Sequence, residues 1–166
     1  MMELQREVES LRNELSIQKN LLKLLFLETY HNAIADNKKT SLHFLCEKER
    51  FEKQDIEIIK NLVEYKMDVN QMHQGKTPLH LLCSTKSNSQ EIIKFIIERK
   101  ADSNLKDPQS NDALLLLSQS GKTGTDQVVE IMLEKKCNPN NLNQEKKASI
   151  HYYFQKEKKK KIPIKK

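Results

Sequence analysis

Apolar residues fall along this chain in two alternating blocks. One block is short and follows a polar cap, as in Thr40-Ser41-Leu42-His43, Thr77-Pro78-Leu79-His80, Asp112-Ala113-Leu114-Leu115 and Ala148-Ser149-Ile150-His151. The other reads Ile-Ile-Lys-Asn-Leu-Val-Glu-Tyr-Lys-Met-Asp-Val-Asn at 58–70, with close counterparts at 92–104 and 128–140. Paired apolar residues, a charge, then an apolar run ending in charges predict a helix with one wide buried stripe. Each of these helices ends in a polar turn carrying Asn70, Asn104 or Asn140. The chain therefore predicts helix, loop, helix, then an extended finger, over and over.

The capped blocks start 37, 35 and 36 residues apart. A fixed period in this range signals a stack of small units, each burying its apolar face against its neighbours. Within the second unit, Thr77 is placed to accept a bond from a free amide at a helix start, and Pro78 suits the first helical position. That unit, Gly75-Lys76-Thr77-Pro78-Leu79-His80-Leu81-Leu82-Cys83, closely resembles the ankyrin repeat signature. The resemblance extends over roughly residues 20–155. It implies an all-α, ankyrin-type α-solenoid with short β-hairpin-like fingers, preceded by a long N-terminal helix.

The phase of the two patterns sets the boundaries. Residues 1–20 read as a coiled-coil helix and 21–36 as an opening half unit. Whole units follow at 37–73, 74–108 and 109–144, then a closing half unit at 145–155 and a basic tail at 156–166. Two departures from the family pattern stand out. Its Gly at the end of the second helix is replaced by Lys66, Lys100 and Lys136, which meet a steric penalty in a left-handed turn. The third unit keeps only the Leu of Thr-Pro-Leu-His, and its inter-helix stretch, Gln119 to Thr125, reads as an irregular, flexible loop.

Charge changes the picture only at the end of the chain. The formal net charge is +6, but seven of the 29 Lys and Arg and one of the 23 Asp and Glu fall in 156–166. The other 155 residues carry 22 of each sign, which argues against a broad nucleic-acid platform on the folded part. The tail reads as low-complexity and disordered, with Lys158, Lys159, Lys160 and Lys161 as candidates for an import signal or an arm toward anionic partners. No apolar run reaches the ~18–20 residues of a membrane span. The charged start lacks the apolar stretch of a signal peptide, so the expected address is the cytoplasm or the nucleus.

Little in the sequence points to catalysis. His43, His80 and His151 recur once per unit, which suits bonds between neighbouring loops better than convergence on a metal. Cys46, Cys83 and Cys137 form no CxxC pair, and small apolar side chains suit tight helix contacts. Ser120-Gly121-Lys122-Thr123-Gly124 superficially resembles a phosphate loop, but the Gly required five residues upstream is Leu116. The expectation is no enzyme activity, no cofactor and no metal.

The start of the chain carries a different signal. Leu4, Val8, Leu11, Leu15, Gln18, Leu22 and Leu25 alternate in steps of four and three, a coiled-coil seam over about three heptads. Glu7 and Glu14 then face Arg12 and Lys19 in the pairing used between parallel helices. Two readings stay open here: a homodimer through residues 3–25, or a helix that only caps the stack.

The function expected is non-catalytic protein–protein binding, as a scaffold or adaptor. By resemblance, a partner would meet the concave face built by the fingers and first helices. The finger candidates are Met72, His73 and Gln74; Lys106, Pro108 and Gln109; and Leu142, Gln144 and Glu145. Two alternatives remain open: a nuclear regulator whose tail contacts nucleic acid, and a targeting or regulatory subunit of an enzyme complex.

Overall fold

The computed structural model describes residues 5–15, 39–87, 89–149 and 151–152. Residues 5–15 form helix α1, whose side chains are all exposed. Of the coiled-coil positions, Val8, Leu11 and Leu15 lie on it; Leu4, Gln18, Leu22 and Leu25 fall outside the described residues, as do the opening half unit and Lys158–Lys161.

Among the described residues the repeat region holds three helix pairs. α2 (Ser41–Cys46), α4 (Pro78–Ser84) and α6 (Ala113–Gln119) form one row; α3 (Lys53–Glu64), α5 (Gln90–Glu98) and α7 (Asp126–Glu134) form the other. Along each row every helix packs on the next, α2 on α4 on α6 and α3 on α5 on α7. The core is the space between the rows. Leu42, Leu79 and Leu114 fill it from the first, Ile59, Ile92, Ile93, Ile96, Ile97, Val128 and Met132 from the second. Each fully buried side chain of this size contributes about 1.5–3 kcal/mol.

The ends of the helices explain why a sequence so low in Gly works. Lys66, Lys100 and Lys136 adopt φ of 63°, 72° and 65°, the left-handed conformation expected of the family's Gly. Their amides and those of Met67, Ala101 and Cys137 bond back to the last helical turn: Met67 to Leu62, Ala101 to Ile96 and Cys137 to Met132. This closure ties up carbonyls that would otherwise lack partners, and the residue after each Lys is buried.

The fingers are smaller than hairpins. Among the described residues there is no regular strand, only one antiparallel bridge, His73 with Lys76. Gln74 and Gly75 both have positive φ, as a type I′ turn requires. Gly75 is needed twice over, since a Cβ there would lie 2.7 Å from Pro108 Cγ of the next finger. The second and third fingers share another solution. Asp107 and Asn143 take backbone bonds from Asn111 and Lys147 on their side chains, and Ser110 and Lys146 supply the positive φ.

The third unit's inter-helix loop is irregular, and it turns one side chain inward. Lys122 is buried; its Nζ donates to the Leu82 carbonyl at 2.5 Å and to Ser89 Oγ at 2.8 Å. Burial holds its pKa below the ordinary lysine value. The Gly-Lys sequence thus anchors the loop to the preceding unit, and its lysine is not offered to a phosphate.

Candidate partner-binding face

His43 and His80 hold neighbouring fingers together. In each, Nδ1 lies 2.7 Å from the Oγ1 of Thr40 or Thr77 and accepts that residue's backbone N–H. Nε2 meets a carbonyl of the following unit, Lys76 at 3.1 Å or Leu105 at 2.9 Å. A carbonyl only accepts, so Nε2 carries the proton and Nδ1 does not: both rings are neutral. Burial, the largest influence, lowers both pKa values, while the carbonyl bonds oppose it. His151 repeats the cap, accepting the Ala148 amide on Nδ1 at 3.0 Å.

Two ladders of amide side chains extend this stitching. Asn70 donates to the Lys100 carbonyl and accepts the Asp102 amide; Asn104 does the same with Lys136 and Asn138. Deeper in the fingers, Asn143 donates to Asn111 Oδ1 at 2.9 Å, and Asn111 donates to the Asp107 carboxylate. The first ladder is exposed, but the second is buried, where polar groups without partners would be strongly destabilising; its bonds are joints between units.

On this frame the predicted finger residues divide. Gln74, Lys106, Pro108, Gln109, Leu142, Gln144 and Glu145 are exposed, and Met72 is partly so. His73 is corrected: it is 7% exposed, and its ring lies edge-on to His43 with centroids 5.7 Å apart. It takes part in the His73–Lys76 bridge, and its side chain is turned toward His43. Gln144 is also engaged, donating to the Pro108 carbonyl at 2.9 Å.

Sequence reasoning missed a column on the first row of helices. The residue after the His position is Phe44, Leu81, Leu116 and Tyr152 in successive units. Phe44 is 64% exposed and the others partly exposed, although the apolar neighbours of the first three, Leu42, Leu45, Leu79, Leu82, Leu115 and Leu117, are buried. Phe44, Leu81 and Leu116 lie at the same position of α2, α4 and α6, which pack in sequence, so they follow one another from unit to unit; Tyr152, at the equivalent position, also lines a groove with Val129 and Leu133 of α7. The signal was present as an apolar residue where a helix with a single buried stripe calls for a polar one.

The thiols are structural. Cys46 and Cys83 are fully buried, and burial pushes Cys46 far up and Cys83 to about 12. Cys137 is likewise raised to about 12, with its Sγ 3.8 Å from the Ser103 carbonyl. Among the described residues no group of three or more His, Cys, Asp or Glu is placed to hold a metal ion, and no helix is long and apolar enough to cross a membrane.

The family model for ankyrin repeats (three copies) matches residues 14–107. No curated protein matches the chain.

Proposed function

The chain belongs to the ankyrin-repeat family, and from that premise we propose that it is a non-catalytic scaffold or adaptor that binds a protein partner. The partner would lie on the concave face, across the column Phe44, Leu81, Leu116 and Tyr152 and the finger residues Met72, Gln74, Lys106, Pro108, Gln109, Leu142 and Glu145. The observation that carries this reading is the exposure of Phe44. A large aromatic in water at a position where each unit offers an apolar side chain is a typical anchor for a partner.

Two further features support parts of the assembly. Val8, Leu11 and Leu15 are 45%, 60% and 54% exposed along α1, which supports a parallel homodimer through residues 3–25. The Lys158–Lys161 run supports a nuclear address or a contact with an anionic partner, with the folded part remaining neutral.

Affinity capture with the wild-type chain beside Phe44→Asp/Leu81→Asp, followed by mass spectrometry, tests the binding face. Partners retained by wild type and lost by a normally folded variant are expected. If every partner is kept by the variant, the face is wrong.

A further inference from the structure

Among the described residues the second row of helices reaches as far as α7, where two apolar positions are uncovered. Val129 and Leu133 on α7 hold the repeat positions of Ile59 and Val63 on α3 and of Ile93 and Ile97 on α5. Those four upstream residues are 0%, 7%, 0% and 2% exposed, in a row where each helix packs on the next. Leu133 is 44% exposed and Val129 partly exposed. With Leu114, Leu117, Pro139 and Tyr152 they line a groove of about 440 Å³. Its charged lining has one sign, Asp126 and Glu130, with no basic side chain among the described residues that line it.

We propose that this groove is occupied by the chain's own Lys-rich segment, 153–166. Ile162 and Ile164 would lie against Val129 and Leu133, and the run Lys158–Lys161 beside Asp126 and Glu130. Three observations favour this occupant. The groove wall includes Tyr152, so the segment departs from the groove itself. The segment carries an apolar pair next to a cationic run, which complements an apolar floor with an acidic rim. The ten residues from Tyr152 to Ile162 can span about 33 Å when extended, whereas nine-residue α7 is about 14 Å long.

The contact would cover α7 as α5 covers α3 and α7 covers α5. It also withholds the lysines from outside partners while they face the rim. A basic, apolar helix of another protein would compete for the same groove, and salt would weaken the electrostatic part.

Zero-length carbodiimide crosslinking of the full chain, using an equal mixture of ¹⁴N- and ¹⁵N-labelled protein, tests the proposal. Peptide mass spectrometry is expected to find crosslinks within one chain from Lys158–Lys161 to Asp126 or Glu130. Their yield should fall about fivefold in Ile162→Ser/Ile164→Ser, because the apolar pair holds the segment in place. Amide exchange over 126–134 should quicken in the same variant. Crosslinks joining different isotopes would assign the groove to a second copy and overturn the proposal. So would crosslinks shared evenly with Glu57, Glu64 and Glu98, or a yield unchanged in the double variant.

Discussion

Asp112 is bonded to Asn141 of the next finger, its Oδ2 accepting from Nδ2 at 3.0 Å. The same carboxylate caps α6, Oδ1 accepting the Leu115 amide at 2.8 Å. In the second unit those two tasks are split between Thr77, which caps, and His80, which reaches Leu105. Leu105 and Asn141 are equivalent repeat positions. One residue therefore replaces the Thr and His of the family pattern, which frees position 115 for a buried Leu.

Asp112→Ala is expected to lose about 1–3 kcal/mol in urea unfolding, since both the cap and a part-buried charged bond disappear. Asp112→Thr/Leu115→His should recover part of that loss by restoring the split arrangement. A double variant no more stable than Asp112→Ala would show that the two solutions are not interchangeable here.

The left-handed Lys residues predict a gain in stability. Lys66→Gly, Lys100→Gly and Lys136→Gly should each stabilise by about 0.5–1 kcal/mol, removing the clash of a Cβ at positive φ and retaining the helix closure. Thermal melts of the three single variants check this. Lowered melting temperatures would mean that the lysine stems contribute more by packing than the backbone loses by strain.

Stability should fall on mild acidification. His43 and His80 are neutral in the fold and have lowered pKa values, so the unfolded chain takes up their protons first. Their contribution is complete above the ordinary value of 6.5 and is lost as pH falls through the folded values. His73 adds to the shift at His43 and Glu47 opposes it; Asp107 and Asp112 oppose it at His80. In His43→Gln/His80→Gln the urea midpoint should be lower near neutrality and flatter as pH falls below the ordinary value of 6.5. An equally steep dependence would place the titration elsewhere.

Packing predictions are direct. Leu79 is 1% exposed, and Leu79→Ala should destabilise by about 2–5 kcal/mol. The three buried thiols should resist an aromatic disulfide reagent in the native protein and all react in denaturant. Rapid native labelling of any one of them would contradict its place in the core.

Dimerisation through residues 3–25 should be weak and dependent on concentration, because a seam of about three heptads is marginal in water. Sedimentation across micromolar concentrations should show wild type associating and Leu11→Asp monomeric. Pairs such as Glu7 with Arg12 would contribute about 0.2–1 kcal/mol each and weaken with salt. A wild-type chain that stays monomeric throughout would remove the dimer.

Periodicity made the stack legible before any coordinates, because a repeat must bury the same positions in every unit. The paired helices, the Thr caps, the left-handed Lys turns and the architectural histidines all follow from that constraint acting locally. What sequence spacing leaves open is which side chain of an unconstrained loop turns inward, and only neighbouring units decide that. His73 reads as a surface residue until the next turn draws it against His43. Lys122 reads as part of a flexible loop until Leu82 and Ser89 of the preceding unit supply its oxygen partners. Phe44 and Leu133 look like core by composition, yet they are 64% and 44% exposed, because one follows the buried His position and the other lies on α7, the last helix of its row among the described residues. Local chemistry repeats along the chain, but contact with a neighbour belongs to the tertiary structure alone.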